Sequence, residues 1–239
     1  MYYQINGIEL YKLFLFFFVF SFLGWVLEVS YATIKKKKFV NRGFLNGPIC
    51  PIYGYGGIAL ILLLHKIDNY FLIFLYGALI TSTIEFLAGF ILEKLYNTRW
   101  WDYSNRRFNL MGYITLSFSI IWGVASVVTI LLYKPLNGLF NKMPENLSLS
   151  LIVFLETLHW TDTVITFIDL SKFKSKLKFF TKYPEKLIKG NSDKIGLAIS
   201  KRVLYIMNGF EKRIIKAFPN MKSKYQETLN FFKKKNKDE

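Results

Sequence analysis

The sequence predicts an all-α protein: a polytopic transmembrane helix bundle of about five spans, followed by a basic cytoplasmic helical tail. Three observations predict it. Of the 239 residues 52% are hydrophobic and 24 are Phe, more apolar content than a soluble domain of this size carries. Those residues cluster in the first 170 positions, in runs approaching or exceeding the roughly 20 residues that a bilayer's hydrocarbon requires. The last 69 positions instead hold 19 Lys and Arg against 6 Asp and Glu, a net +13 of the chain's +16. Residues 1–170 are therefore read as the membrane domain and residues 171–239 as the tail.

The first run, residues 10–34, is too long for a signal peptide. It lacks a basic start and a small-residue cleavage site, and it contains Glu28, so it is read as a retained span. The second, residues 49–65, is short. Its start carries Gly47, Pro48, Pro51, Gly54, Gly56 and Gly57, which predicts a broken or re-entrant segment, tolerable only where protein or water satisfies the freed backbone groups. Residues 69–92, 110–133 and 147–170 are the third, fourth and fifth runs. In the tail, Val203, Ile206, Met207, Phe210 and Ile214 predict an amphipathic helix over about residues 199–218, with Lys201, Arg202, Lys212, Arg213 and Lys216 largely off its apolar face. Such a helix reads as lying on the anionic inner leaflet. Pro184, Gly190 and Pro219 divide the tail into shorter pieces.

Loop charges set the orientation. Lys35, Lys36, Lys37, Lys38 and Arg42 follow the first run, and Lys94, Arg99, Arg106 and Arg107 follow the third; the other two connections contribute Lys66 and then Lys134 with Lys142. Positive residues mark the cytoplasmic side. Five spans with the N-terminus outside and the C-terminus inside satisfy every loop, in a bacterial inner membrane.

Charged residues inside the spans are the candidate site. Glu28 and Glu85 both fall on the cytoplasmic side of their spans' midpoints, and the fifth span adds Glu156, His159 and Asp162. Glu156 and His159 are spaced i, i+3 and share a helix face. Ionisable groups in hydrocarbon are costly to keep, which points to a ligand or ion pathway through Glu28, Glu85, Glu156 and His159. The competing reading makes each carboxylate structural, bonded to a neighbouring Tyr, Ser or Trp or paired with Arg42. Ala78, Ser82, Glu85 and Gly89 lie on one helix face, and Gly24 precedes Glu28 by a turn, so close helix packing is expected there.

Two further clusters lie on the cytoplasmic side. One runs from Asn41, Arg42 and Gly43 through Asn46, Gly47 and Pro48 to Pro51, Tyr53 and Gly54; the other comprises Arg99, Trp100, Trp101, Asp102, Tyr103 and Ser104, with Asn109 and Gly112 after it. The glycines lack the Gly-Lys-Ser/Thr ending of a phosphate loop, so nucleotide binding by that route is not supported. Cys50 is the only cysteine, which rules out an intrachain disulfide and a cysteine zinc site. Catalytic triads and Gly-x-Ser-x-Gly are absent, and no nucleic-acid motif accompanies the positive charge. The chain is read as a non-enzyme without catalytic residues, metal or cofactor, and without a nucleic-acid partner.

These clusters carry a resemblance. Gly24-Trp25-x-x-Glu28, Asn41-Arg42-Gly43-Phe44-Leu45-x-Gly47-Pro48-x-x-Pro51-Ile52-Tyr53-Gly54, Glu85, Trp100-Trp101-Asp102-Tyr103-Ser104, Asn109-x-x-Gly112 and Trp122-Gly123 together resemble the bacterial ABC-transporter type IV permease family, also called CmpB-like. It covers about residues 10–140. The resemblance implies a permease-like component of a transport system. Because this chain contains no nucleotide-binding domain, it also implies a separate ATPase subunit.

Two other readings stand beside it: a non-transporting membrane scaffold or regulator whose carboxylates lock helices together, and an intramembrane metal-dependent enzyme using Glu156 and His159 with Glu28 and Glu85. The second has only one Glu-x-x-His pair where bundle metal sites present two. The bilayer and its anionic inner-leaflet lipids are the expected partners, and a homo-oligomer is compatible with each reading.

Overall fold

The computed structural model describes residues 3–182, 209–219, 221–223 and 230. A short hairpin, β1 (Gln4–Ile5) and β2 (Ile8–Glu9), leads into α1 (Leu10–Lys36), α2 (Pro51–Leu64) and α3 (Tyr70–Tyr96). Strand β3 (Thr98–Arg99) and a second hairpin, β4 (Asn109–Leu110) and β5 (Ile114–Thr115), precede α4 (Leu116–Lys142) and α5 (Glu145–Lys182). The tail contributes α6 (Gly209–Ala217) and β6 (Lys222–Ser223), which pairs antiparallel with β3. The protein is a helical membrane bundle: α1, α3, α4 and α5 are each long and apolar enough to cross a bilayer.

Local chemistry explains the boundaries. Pro51 starts α2, where its missing N–H costs nothing. Asn69 caps α3 by accepting the N–H groups of Phe71 and Leu72. Lys37 and Asn97 end α1 and α3 in the left-handed conformation. The fourth helix is displaced from the expected 110–133, because the preceding residues turn through Met111 (φ 52) and Gly112 (φ 75) into a hairpin and Pro135 is held within α4. Gly112 is required there, since a side chain would collide with Asp102 and Ser104. Helix α5, with 38 residues, is about 57 Å long and outruns the roughly 30 Å of hydrocarbon.

Packing places α1 at the centre. Half of its most apolar window is buried, against 22%, 17% and 17% for α3, α4 and α5. The outward faces are apolar, with Leu27, Leu79, Val124 and Val153 more than half exposed, as lipid-facing surfaces require. Two antiparallel helix pairs build the bundle, α1 with α2 and α3 with α4. Gly54 and Gly57 lie against Phe17 and Phe20, Gly24 against Tyr53, Gly77 against Ser126, and Gly123 against Phe74. Removing Cβ at these crossings lets the backbones approach, which drives association where no hydrophobic effect operates between helices. Several hydroxyls inside the spans bond their own helix, as Thr81 does to Gly77 O (2.7 Å) and Ser126 to Trp122 O (2.8 Å), and Ser82 donates across the α3–α4 pair to Ser119 (2.7 Å); the buried hydroxyls of Ser21, Thr33 and Thr163 have no such partner among the described residues.

Between α1 and α2 the chain returns into the bundle. Cys50 N–H donates to Ser21 O at 2.9 Å, and Ser21 lies fifteen residues, about 22 Å, before the end of α1. Residues 37–50 are thus a re-entrant segment, and α2, 14 residues long, extends about 21 Å from its tip. The basic loops and the described part of the tail gather at one end, the basic end. Phe210, Ile214, Ile215 and Met221 join Tyr96, Trp100, Leu170, Phe173 and Leu177 in one core cluster there. The apolar face of α6 is therefore covered by the bundle. Of the expected 199–218 helix, residues 199–208 lie outside the described residues, and Phe218 follows the end of α6.

Candidate functional site

Glu28 and Glu85 are linked. Glu28 Oε1 accepts from Tyr53 Oη at 2.8 Å, and its Oε2 pairs with Arg42 Nη1 at 3.2 Å. Glu85 Oε2 accepts from Trp122 Nε1 at 2.9 Å, and its Oε1 from Tyr103 Oη at 3.3 Å. The Tyr53 and Trp122 rings meet edge to face with centroids 5.4 Å apart. A continuous chain of contacts, Arg42–Glu28–Tyr53–Trp122–Glu85–Tyr103, therefore crosses from one helix pair to the other. Burial first, and then the charge of Glu85, push the Tyr103 phenol above its ordinary range, so it acts as a donor to the carboxylate.

Glu156 and His159 lie elsewhere. The His159 ring stacks on Phe17 at 5.2 Å, nearly parallel, and Phe17 precedes Glu28 by eleven residues, about 16 Å along α1. His159 is buried and its Nδ1 has no hydrogen-bond partner; Glu156, one turn before it, is partly buried. The four candidate side chains thus lie at two levels, with α5 in contact with the re-entrant segment. That contact is Asp162, which accepts from Gly47 N (2.7 Å), Asn46 N (3.2 Å) and Asn46 Nδ2 (2.9 Å). Among the described residues, no three His, Cys, Asp or Glu side chains converge in a metal-binding group.

The first motif cluster builds the re-entrant segment. Asn41 Oδ1 accepts from Gly43 N (3.0 Å) and Trp25 Nε1 (2.9 Å), while its Nδ2 donates to Asn46 O (2.9 Å). Arg213, from α6, donates to Gly43 O (2.6 Å) and Phe44 O (3.3 Å). Backbone groups of the segment are thereby satisfied by Asn41 within it, by Asp162 of α5 and by Arg213 of the tail, as non-helical chain inside a membrane requires.

The second cluster organises the α3–α4 connection. Trp101 donates to Tyr113 O (2.8 Å), and Asn109 Nδ2 donates to Arg106 O (2.7 Å) while its Oδ1 accepts from Gly112 N (3.0 Å). Arg99 pairs with Glu93 at 2.6 Å, and its guanidinium lies 4.5 Å from the Tyr113 ring. Asp102 accepts from Ser104 and is ion-paired with Lys222. Burial raises its pKa, but the bonds from Lys222 and Ser104 outweigh that and hold the carboxyl well below its ordinary range.

The sequence names several participants without this role. Asp162 is legible there as a further acid of the fifth span, Trp122 as part of the motif set that carries the resemblance, and Arg213 as a charge off the apolar face of the tail helix. Lys222 carries no signal, since the tail is uniformly basic. At the opposite end Lys12 is buried, donates to Asn141 at 2.5 Å and pairs with Glu9.

These features define a multi-pass membrane protein with a polar network inside its helix bundle. Residues 15–167 match the family described as Putative ABC-transporter type IV, and the chain belongs to that family. The re-entrant segment, both linked glutamates and Asp162 lie within the matched residues, and α6 lies beyond them. No curated protein and no solved structure matches the chain.

Proposed function

We propose that the chain is a permease-like component of a transport system for a solute or ion, working with a separate ATPase subunit. In this reading the basic end faces the cytoplasm of a bacterial cell, as its loop charges favour, and the site comprises Glu28, Glu85, Tyr53 and Trp122 in the cytoplasmic half. One observation carries it: carboxylates from the two helix pairs meet through Tyr53 and Trp122, so relative motion of the pairs would break and remake the polar contacts. Membership of a transport-related family supports the same conclusion. The test is purification in mild detergent with identification of copurifying chains. An ATPase whose turnover changes on Glu28→Gln and Glu85→Gln is the expected result; reproducible absence of any ATPase would overturn the assignment.

A second reading is favoured by a specific observation. All four carboxylate oxygens of Glu28 and Glu85 have protein partners, the arrangement of a scaffold whose polar groups lock helices. It requires that both Gln variants lower stability while leaving the activity of any copurifying ATPase unchanged.

A further inference from the structure

The residues just before β4 and the first turns of α4 form a cleft that the Glu28–Glu85 network does not use. It has a volume of about 370 Å³ and is lined by Arg106, Arg107, Phe108, Leu116, Ser117 and Ile120, with no carboxylate among them. The loop is tied to the start of α4, where Leu116 N–H donates to Phe108 O at 3.1 Å and Thr115 Oγ1 donates to Arg107 O at 3.1 Å. Arg106 lies 5.1 Å from the Phe118 ring. Phe108 is 79% exposed at φ 54, a left-handed conformation costly for a bulky residue. The fold thus holds an apolar ring outward, beside two guanidinium groups, at an energetic cost.

The chemistry along the cleft is ordered. Two guanidiniums and the Ser117 hydroxyl lie at the basic end, and Leu116 and Ile120, about half exposed, descend one face of a helix whose apolar window is only 17% buried. A free phosphate would account for the arginines and leave the apolar strip unexplained; a neutral acyl chain would do the reverse. We propose that this cleft binds an anionic phospholipid, its phosphate on the Arg106 and Arg107 forks and the first part of an acyl chain along Phe108, Leu116 and Ile120. Arginine suits this role because its planar fork grips phosphate oxygens in pairs, and basic pockets between membrane helices hold such headgroups. The site is distinct from α6, whose apolar face packs on protein.

The test is native mass spectrometry of the full chain released from nanodiscs of mixed phosphatidylglycerol and phosphatidylcholine, comparing wild type, R106Q/R107Q and a charge-matched K35Q/K38Q control. Retained phosphatidylglycerol is expected to fall about fivefold for each arginine lost, and to be unchanged in the control. Equal losses in both variants would reduce the effect to general surface charge and overturn the site. Displacement of the lipid by excess inorganic phosphate would identify a free-phosphate site instead and overturn it equally. Wild-type protein supplies a measurement that no folding defect can obscure: a photoactivatable phosphatidylglycerol is expected to label the peptide spanning residues 106–120, and labelling confined to other segments would refute the proposal.

Discussion

Glu28 and Glu85 lie in two antiparallel helix pairs that handle a buried carboxylate differently. Glu28, with its side chain 28% exposed, faces a cation, Arg42, delivered by the re-entrant segment. Glu85, 8% exposed, has only neutral donors, Trp122 from its partner helix and Tyr103 from the adjoining loop. The α1–α2 pair therefore depends on a non-helical segment held in place by distant residues, whereas the α3–α4 pair is closed largely by its own two helices and connection. A charge in a membrane can be met by a countercharge or by several oriented dipoles. The first solution here needs long-range contacts, and the second is nearly local.

Cys50, buried and the chain's only cysteine, offers a probe for breaking that contrast, because its N–H anchors the tip of the re-entrant segment. The largest effect is expected from Asp162→Ala, which removes the acceptor for Asn46 and Gly47: a loss of roughly 2–4 kcal/mol, together with faster maleimide labelling of Cys50. Unchanged labelling would show that Asp162 does not hold the segment.

Gly77→Val should cost about 1–3 kcal/mol through overpacking where its side chain meets Ser126. Labelling of Cys50 should stay at the wild-type rate, since the damage is confined to α3–α4; acceleration would mean that the two pairs are not separable.

A smaller difference sharpens the comparison directly. Trp122→Phe leaves Glu85 Oε2 without its donor and is expected to cost about 1–3 kcal/mol in detergent unfolding. Tyr53→Phe should cost only about 0.5–1.5 kcal/mol, since Arg42 still holds Glu28. Equal losses would mean that Arg42 contributes no more than a neutral donor.

The smallest effect is at the tail. Lys222, whose side chain is 58% exposed, pairs with Asp102, whose side chain is 5% exposed, so Lys222→Ala is expected to cost less than about 1 kcal/mol. The folded pKa of Asp102 is depressed, so this contact is complete above the ordinary carboxylate range and is lost as pH falls through the depressed value. Protease protection of the α6 segment, followed while lowering pH, should decline in that direction; a loss on raising pH would contradict the pairing.

Glu28 and Glu85 were legible as acids in apolar runs, and Arg42 and Tyr53 as members of the first motif cluster. Their connection was not, because Tyr53 meets Trp122 only when the α1–α2 and α3–α4 pairs are set side by side. Glu156 and His159 show the limit from the other direction. Their i, i+3 spacing correctly put them one turn apart on α5, yet depth depends on how α5 is set along α1, which no local pattern encodes. The tail reads similarly. Its apolar stripe could be covered by lipid or by protein, and the cover in this structure is Trp100, Leu170, Phe173 and Leu177, brought together from separate elements.

By itself the sequence determined the class of the protein. Hydrocarbon leaves a chain few ways to satisfy its backbone, so long apolar runs must be helices; of the Gly- and Pro-rich start of the second run only Gly47 and Pro48 lie in non-helical chain, while Pro51, Gly54, Gly56 and Gly57 belong to α2. Only the tertiary structure decided the partners: Asp162 and Arg213 for the re-entrant segment, Arg42 for Glu28, and Trp122 and Tyr103 for Glu85. Those choices rest on contacts between residues far apart in sequence, and their geometry exists only once the helices have packed.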